Sequence, residues 1–298
     1  MISNEHRGSL YAILSGFLYG FVGYFGVSAI RESLSVSNML FWRFLIASVV
    51  ILLILVFQSK PSQLSRKDCC IAFVNGALFY GFSTLFYFFA CPSIGSGLAM
   101  VIFFTYPAMV MLLNHIFYGQ RIPIIYYFSI VIIACGMPLF VDTNEVEFDV
   151  FGIILSILSA LLYAGYLVSS KKIETFSPII STLMVCLGCM FTSLLLSLGN
   201  HSLSIPTTLS VWLNLLGIGI LCTAAPVLLL LYGLNYISAE KTAILSVLEP
   251  VFVLIFGVTL LGEPMKLRYL IGVMIVLSGA LLTLLSQTTA VKKQGIKR

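Results

Sequence analysis

Charged residues are scarce in this sequence. Lys, Arg, Asp and Glu make up 9% of its 298 residues and hydrophobic residues 60%, whereas about 25% of an ordinary soluble domain is charged. Two long blocks, residues 69–120 and 175–239, contain no charged side chain. A soluble fold could not bury this much apolar surface. The composition therefore predicts an integral membrane protein whose surroundings are a lipid bilayer.

Signatures of catalysis and of energy conversion are also missing. The chain has no Walker A motif, which argues against ATP-driven pumping by this chain alone. It has no HExxH motif, no GxSxG motif and no pair of aspartates within an apolar segment, which argues against an intramembrane enzyme. Its seven cysteines are scattered, and the CxxC at Cys186 and Cys189 has no second pair to complete a metal site. We expect no metal, no cofactor and no enzymatic activity.

Ten apolar segments are long enough to cross a bilayer. One span needs roughly 20 apolar residues at about 1.5 Å each, so each uncharged block contains two spans, divided by turn-forming residues at 92–97 and 199–206. The prediction is an all-α integral membrane protein. Its spans are expected at 9–30, 38–58, 70–91, 97–118, 123–141, 150–170, 178–198, 210–232, 241–261 and 267–287.

Basic residues are divided unevenly between the two sides of this bundle. With a cytoplasmic amino terminus, the inner segments hold 12 Lys and Arg residues and the outer loops hold 3. This bias predicts that both termini are cytoplasmic. The formal net charge of +5 then reflects membrane topology, and we expect no nucleic-acid partner. The inner set is Arg7, Lys60, Arg66, Lys67, Arg121, Lys171, Lys172, Lys241, Lys292, Lys293, Lys297 and Arg298, and the outer set is Arg31, Lys266 and Arg268.

Two apolar phrases of the chain are nearly the same. FFTYPAMVMLLNHIFYGQ begins at residue 103 and SVLEPVFVLIFGVTLLGE at residue 246, so Pro107 and Gly119 recur as Pro250 and Gly262. All of these pairs are 143 residues apart, and Gly76 likewise recurs as Gly219. The sequence therefore predicts two repeats of five spans, at 1–143 and 144–290, followed by a basic cytoplasmic tail at 291–298. Because five is odd, the second repeat enters the membrane from the opposite side, which makes an inverted repeat.

With these features, the chain resembles the EamA family of the drug/metabolite transporter superfamily from about Arg7 to Gln287. The resemblance rests on the ten spans in two halves, on WRFLIASVVILLIL around Arg43, and on LEPVFVLIFGVTLLGE. The first phrase departs from the family pattern, with Gln120 where Glu is frequent and with Asn114 and His115 interrupting its apolar run. The resemblance implies transport of metabolites or drugs, often efflux, across the bacterial inner membrane.

Glu249 and Arg43 are the charged side chains that require an explanation within the spans. A charge near the bilayer centre costs about 2.5–3.5 kcal/mol on insertion scales. Glu249 is therefore a proton-coupling group, a ligand for a cationic substrate group, or a packing carboxyl that fixes the bend at Pro250. Arg43 lies about 8 Å below the outer surface at 1.5 Å per residue. It either extends outward to the surface or pairs inward with a carboxylate or an anionic substrate group, and its role is structural, in gating, or in substrate contact.

Polar side chains recur at helical spacing in spans 1, 3 and 6. Hydroxyl groups on one face of a helix in lipid must point toward another helix or toward a cavity. A single tyrosine is adequately explained by a hydrogen bond between helices, but the combined set favours the wall of a substrate cavity. The residues expected to line it are Tyr19, Tyr80, Thr84, Tyr87, Tyr106, Tyr163, Tyr166 and Glu249.

Proline, glycine and tryptophan add structural expectations. Pro107 and Pro250 each remove a helical hydrogen bond and are interpreted as paired bends at the cavity, or as plain packing features. Gly16 and Gly20 form a GxxxG motif that favours close packing within the chain over dimerisation, which leaves a monomer or a weak homodimer. The two tryptophans, Trp42 and Trp212, are expected to anchor the protein at opposite faces of the membrane.

The sequence as a whole favours a secondary transporter that uses alternating access. The expected cargo is a small organic metabolite, such as an amino acid or a related amphipathic compound, moved by efflux or exchange with protons as a candidate coupling ion. The alternatives are a membrane receptor or assembly subunit that does not transport, or an intramembrane enzyme. The inverted repeat and the short loops disfavour the receptor.

Overall fold

A computed structural model describes residues 4–22, 24–25, 34–57, 65–141, 149–172, 177–261 and 266–295. The regular secondary structure of these residues is helical, with no strand. Ten helices, numbered α1 to α10, follow the predicted order of spans. They are α1 Asn4–Tyr19, α2 Val36–Val56, α3 Arg66–Ile94, α4 Ser96–Phe103 with Tyr106–Tyr118, α5 Ile124–Phe140, α6 Val150–Lys172, α7 Pro178–Gly199, α8 Leu209–Tyr236, α9 Ala239–Ser246 with Glu249–Leu261, and α10 Leu267–Gly295.

Most of the helix bounds agree with the predicted spans within a few residues, and α1 and α10 differ more. α1 begins at Asn4 and ends at Tyr19, where a turn at Gly20 and Phe21 interrupts the predicted span. α10 continues to Gly295, beyond the predicted end at 287. Among the described helices, six are long and apolar enough to cross a membrane, namely α2, α3, α4, α6, α7 and α8. α5 and the apolar part of α10, Leu267–Leu282, are shorter.

Some sequence predictions fall outside the described residues. These are the end of the first span at 26–30, the boundary between repeats at 143–144, Gly262 and Glu263 of the second phrase, and the last residues of the basic tail, 296–298.

The most extensive helix contacts each join one helix of the first half to one helix of the second. α2 packs along α7, and α5 packs along α10. α3 of the first half packs against α6 of the second, and α1 packs against α8. Each contact therefore has an equivalent under exchange of helix n with helix n + 5. The fold is an inverted repeat of two five-helix halves, as predicted.

Single hydrogen bonds repeat this exchange at the α3–α6 and α1–α8 interfaces. Ser159 of α6 donates to the carbonyl oxygen of Ser83 in α3 at 2.7 Å. Its counterpart Ser15 of α1 donates to the carbonyl oxygen of Pro226 in α8 at 2.8 Å. Hydroxyls at matched positions therefore tie matched helix pairs together, since lipid offers neither group an alternative partner.

α4 and α9 are both interrupted near the middle, one residue before the Tyr106-Pro107 and Glu249-Pro250 pairs. The backbone N–H of Thr105 donates to Ile102 at 3.1 Å, and that of Leu248 donates to Leu245 at 3.2 Å. These three-residue bonds tighten the chain just before each proline, whose missing N–H cannot continue the α-helical ladder. The break therefore recurs at the same repeat position in both halves.

α3 and α8 also share a local irregularity, one turn of π-helix at Asn75–Tyr80 and at Ile220–Ala224. Gly76 and Gly219 lie at or beside these turns, and both allow a neighbouring helix to approach closely. A Cβ atom on Gly76 would lie 2.1 Å from the carbonyl oxygen of Val185 in α7. On Gly219 it would lie 2.7 Å from Ile46 Cγ2 in α2.

The two ends of the bundle differ in composition. The basic end carries Lys171, Lys172 and Lys241. At the Trp end, the rings of Trp42 and Trp212 are in edge contact, with centroids 5.1 Å apart. The expectation that the two tryptophans anchor opposite faces is therefore wrong: α2 and α8 run in the same direction and both begin at the Trp end.

Candidate functional site

A cluster of tyrosines lies at the centre of the bundle, where α1, α3, α4 and α6 meet. The hydroxyls of Tyr19 and Tyr80 are 3.0 Å apart and share a hydrogen bond. The Tyr80 ring stacks on Tyr166 with centroids 5.0 Å apart, and Tyr163 meets Tyr106 edge to face at 4.8 Å. All five rings are buried. Four of the ten helices thus contribute to one aromatic cluster, from positions that were predicted to line a cavity.

Two hydroxyls of this cluster differ in how they are satisfied. Tyr106 donates to the carbonyl oxygen of Ala243 at 3.2 Å, which connects α4 to the first segment of α9. The hydroxyl of Tyr166 is fully buried and has no partner with hydrogen-bond geometry among the described residues. An unsatisfied buried hydroxyl costs about 1–3 kcal/mol. The buried hydroxyl of Ser170, one turn further along α6, is within interaction range of Tyr166.

Arg43 is buried and points into the bundle, so the inward alternative of the two sequence interpretations applies. Its Nε donates to Thr223 Oγ1 at 2.6 Å, and its terminal NH2 group donates to the carbonyl oxygen of Cys222 at 3.1 Å. Both acceptors belong to the π-helical turn of α8. The guanidinium is therefore fixed against the irregular backbone of the second half.

Glu249 is the first residue of the second segment of α9, directly after the break. Its side chain is partly exposed, and none of the described residues forms a hydrogen bond or an ion pair with its carboxylate. Arg43 is close enough for the two charges to interact, as are the hydroxyls of Tyr106 and Tyr163. The carboxylate thus lies beside the tyrosine cluster and shares the field of one buried cation.

Thr84 and Tyr87 extend the site along α3 toward the Trp end. Both are partly exposed. Tyr87 packs against Phe103 with ring centroids 5.5 Å apart, and it also lies within electrostatic range of Glu249. Thr84 donates to the carbonyl oxygen of Gly81 in its own helix. In this conformation the partly exposed members lie on the Trp side of a closed aromatic cluster.

The GxxxG motif of α1 packs against the break in α9. A Cβ atom on Gly16 would lie 3.5 Å from the carbonyl oxygen of Ser246 and 3.6 Å from the backbone nitrogen of Glu249. On Gly20 it would lie 2.7 Å from Phe252 Cβ. The motif therefore serves close packing inside the chain, where it brings α1 alongside the backbone that carries Glu249.

Two polar contacts at the basic end were not predicted. Asn114 of α4 donates its side-chain amide to the buried carboxylate of Glu240 in α9. Lys241 forms an ion pair with Glu5 of α1 at 2.8 Å. The interruption of the apolar run at Asn114 was visible in the sequence, but its partner lies 126 residues away. No group of metal-binding side chains occurs within the described part of the chain.

These features together define a class of protein. Two inverted five-helix halves, broken helices at mid-depth and a polar cluster between the halves are the architecture of a membrane transporter. The chain belongs to the EamA-like transporter family, whose model matches residues 6–141 and 150–285.

Individual relatives agree with this assignment. The chain is 24% identical to the uncharacterized transporter YxxF of Bacillus subtilis, over 95% of this chain and 89% of that protein. It is 28% identical to an uncharacterized transporter of Archaeoglobus fulgidus, over 92% and 95%. It is 24% identical to the pseudopaline exporter CntI of Pseudomonas aeruginosa, over 74% and 76%.

A chain of known crystal structure has the same fold. Its TM-score is 0.81 at 17% sequence identity, with 95% of this chain and 98% of that chain covered. At this identity the comparison concerns the fold alone. Together, the family and its relatives identify a membrane transporter that acts on a small molecule within the lipid bilayer, and not an enzyme.

Proposed function

We propose that the chain is a secondary transporter that moves a small organic metabolite across the bacterial inner membrane by alternating access, with a proton as the coupling ion. The proposed cargo is an amino acid or a related amphipathic compound, moved by efflux or exchange. The pseudopaline exporter among the relatives favours export of a metabolite. The tyrosine cluster suits a ligand with one apolar part and a few polar groups, since its rings offer apolar faces and its hydroxyls offer hydrogen bonds.

The observation that carries this proposal is the position of Glu249. Glu249 is a partly exposed residue that begins the second segment of a broken helix, and its carboxylate has no hydrogen-bond partner among the described residues. A carboxylate at this depth is costly when it is charged, so it readily takes a proton or binds a cationic group. In the proposal Glu249 takes and releases a proton as the two halves rock about the breaks at Pro107 and Pro250.

Arg43 has a gating role in this proposal. Its guanidinium is held on the π-helical turn of α8, so movement of α8 relative to α2 would carry the positive charge toward or away from Glu249. A nearby cation favours the ionised carboxylate, whereas its withdrawal favours proton uptake. The conformational change and the protonation of Glu249 are thereby linked.

The basic end is proposed to face the cytoplasm, with both chain termini on that side. The cluster of Lys171, Lys172 and Lys241 at this end supports the orientation through the positive-inside rule. Reporter enzymes fused to each terminus test it. Activity of a periplasmic reporter at either terminus would contradict the proposed topology.

Flux of solute into proteoliposomes is the direct test of function. Metabolites that accumulate in a strain lacking the protein, and decline in a strain that overproduces it, define the candidates without a prior guess at the cargo. Each candidate is then offered to proteoliposomes with and without a pH gradient. We expect flux that the gradient accelerates. Binding without flux would instead indicate a receptor, and chemical conversion without movement would indicate an enzyme.

Thiol labelling tests the cavity itself. In a variant without native cysteines, single cysteines replace Tyr80, Thr84, Tyr163 or Tyr166. Thr84→Cys should react with a water-soluble maleimide in the conformation described, since Thr84 is partly exposed. The buried positions should react only when substrate or a pH gradient drives the cycle. Protection of all four positions under every transport condition would exclude the cavity.

A further inference from the structure

A cavity of about 190 Å³ opens at the basic end, apart from the tyrosine cluster, and both apolar and polar side chains line it. Its walls come from both halves: the end of α4 with Tyr118 and Gln120, the end of α6 with Lys171 and Lys172, and the start of α9 with Glu240. The cavity is therefore built where the two halves meet, which is also where they would separate during alternating access.

The residues that line the cavity include two lysines and one glutamate. Lys171 Nζ donates to the carbonyl oxygen of Leu234 at 2.6 Å, and Lys172 Nζ lies 3.6 Å from the centroid of the Tyr118 ring. The Glu240 carboxylate is 4% exposed and accepts a hydrogen bond from Asn114, which is 5% exposed. Asn114 is the one hydrogen-bond partner of this carboxylate among the described residues, and a carboxylate has acceptor positions for more than one donor.

We propose that this cavity is a second binding site for a small zwitterion of amino-acid size. The ligand carboxylate would contact Lys171 and Lys172, and its ammonium group would contact Glu240. Charge-assisted hydrogen bonds of this kind are the stronger class, and two of them at fixed positions select ligands that carry both charges. The inference rests on the proposed function, because it specifies the substrate class and adds a loading site on the way to the tyrosine cluster.

Occupation of the cavity would also loosen the contact between the halves. The Asn114–Glu240 hydrogen bond joins α4 to α9, and a ligand ammonium group would compete with Asn114 for the same carboxylate. A ligand that binds the separated arrangement better shifts the population toward it. The same two groups can therefore recognise the substrate and release the helices that close the basic end.

The test uses the full chain in lipid nanodiscs, with all seven native cysteines replaced by serine or alanine. A single cysteine is placed at Gln120 in the cavity wall and, as a control, at the neighbouring Arg121, which is exposed and does not line the cavity. The rate of maleimide labelling is measured against increasing concentrations of L-leucine and L-alanine. We expect both zwitterions to slow labelling of Gln120→Cys and to leave Arg121→Cys unchanged.

Two analogues of leucine test whether both charges of the ligand are needed for binding. 4-Methylpentanoate lacks the ammonium group and 3-methylbutylamine lacks the carboxylate. Each should protect Gln120→Cys about tenfold more weakly than leucine, the loss that removal of one charge-assisted contact produces. Equal protection by all three compounds would overturn the assignment of a zwitterion site, as would failure of both amino acids to protect.

Variants of the protein test which side chains bind the two charged groups of the ligand. Lys172→Gln and the isosteric Glu240→Gln should each weaken protection by leucine about tenfold. Lys67→Gln, which removes an exposed lysine in the first turn of α3 outside the cavity, should leave protection unchanged. Unchanged protection in both Lys172→Gln and Glu240→Gln would contradict the site. Lys172 is exposed, so its variant is expected to fold even if Glu240→Gln does not.

The results that would contradict the proposed transport function differ from those that would contradict the second binding site. Labelling is repeated in the Glu249→Gln background, where we expect protection by leucine to persist and proton-driven flux to be lost. If leucine protects Gln120→Cys but the parent protein shows no flux, the binding site is supported and the transport proposal is contradicted. Flux that depends on Glu249, with no protection at Gln120→Cys, would remove the binding site alone.

Discussion

The two halves of this transporter have the same backbone and different chemistry at its centre. Both have a helix break before a proline, in α4 and in α9, and a π-helical turn, in α3 and in α8. These features recur at a shift of 143 residues to within two residues, although the two halves face in opposite directions. Sequence duplication therefore explains the scaffold.

The side chains at the matched central positions have diverged. Tyr106 of the first half corresponds to Glu249 of the second, and Tyr80 corresponds to Thr223. Cys186 of α7 corresponds to Arg43 of α2. Both of these charged side chains within the spans thus lie at positions where the two repeats differ in sequence, and the shared scaffold brings them within electrostatic range of each other. The comparison teaches that the symmetric features build the bundle and the asymmetric ones supply the proposed coupling.

The two π-helical turns show the same division. In the first half, the carbonyl oxygens of Gly76 and Ala77 accept hydrogen bonds from the neutral side chains of Cys189 and Thr192 in α7. In the second half, the carbonyl oxygen of Cys222 accepts from the guanidinium of Arg43 in α2. Equivalent backbone irregularities are satisfied by neutral donors on one side and by a cation on the other.

The largest expected effect comes from removing the charge that breaks the symmetry. Glu249→Gln should reduce pH-driven flux in proteoliposomes to background, because the amide cannot take up a proton. The variant at its repeat counterpart, Tyr106→Phe, loses the hydrogen bond to the carbonyl oxygen of Ala243, and we expect a reduction of about threefold, since such a bond contributes about 0.6 kcal/mol.

Expression and monodispersity of both variants are checked in detergent, so that loss of flux is not confused with misfolding. If Glu249→Gln retains full proton-coupled flux, the carboxylate does not couple transport. If Tyr106→Phe is as inactive as Glu249→Gln, the two halves are not functionally different at this position.

The second comparison concerns the glycines at the π-helical turns. Gly76→Ala places a methyl group 2.1 Å from a backbone oxygen of α7, and we expect destabilisation of about 3 kcal/mol because neither backbone can yield easily. Gly219→Ala meets Cγ2 of Ile46 at 2.7 Å and its Cβ at 2.8 Å; these distances are longer than at Gly76 and a smaller shift relieves them, so about 2 kcal/mol is expected. Unfolding by SDS titration in mixed micelles measures both. The reverse order would show that α2, and not α7, is the tighter neighbour.

A substitution at Arg43 tests whether this residue serves transport or only stability. Arg43→Met retains much of the buried volume but leaves the carbonyl oxygen of Cys222 without its donor, so we expect a loss of stability of about 1–3 kcal/mol. Proton-driven flux in the folded protein should fall about tenfold, because the nearby cation that biases the ionisation of Glu249 is lost. The matched variant Cys186→Ala should leave flux unchanged. A large loss of stability in Arg43→Met, with full activity in the surviving protein, would make Arg43 a structural residue only.

Much of the scaffold could be predicted from the sequence. The uncharged blocks and their turn-forming interruptions gave ten helices in the right order, since lipid permits little else for such segments. The recurrence of Pro107 as Pro250 and of Gly76 as Gly219 indicated the inverted repeat. Glu249 drew attention because a carboxylate within an apolar span is costly wherever it lies.

The local geometry of the site could not be read from the sequence. The π-helical turns leave no composition signal of their own, and the inward direction of Arg43 depends on acceptors 179 and 180 residues away. The Asn114–Glu240 contact likewise joins residues that only tertiary packing brings together. The incorrect placement of Trp42 and Trp212 has a simpler cause: spans 2 and 8 are both even-numbered and run in the same direction.

The smallest expected effect tests whether the symmetry is energetic as well as geometric. Ser15→Ala removes one hydroxyl that bonds the carbonyl oxygen of Pro226, and we expect a loss of about 0.6 kcal/mol, the average for such bonds in a bilayer. Ser159→Ala removes the equivalent bond, from Ser159 to the carbonyl oxygen of Ser83. Here Ser83 donates in return to the carbonyl oxygen of Ser159, so a loss of about 1.2 kcal/mol is expected if the two bonds are coupled. SDS unfolding of both single variants and of Ser83→Ala with Ser159→Ala measures the coupling. Equal losses at Ser15 and Ser159 would mean that the two interfaces are held alike, and that the divergence between the halves is confined to the charged centre.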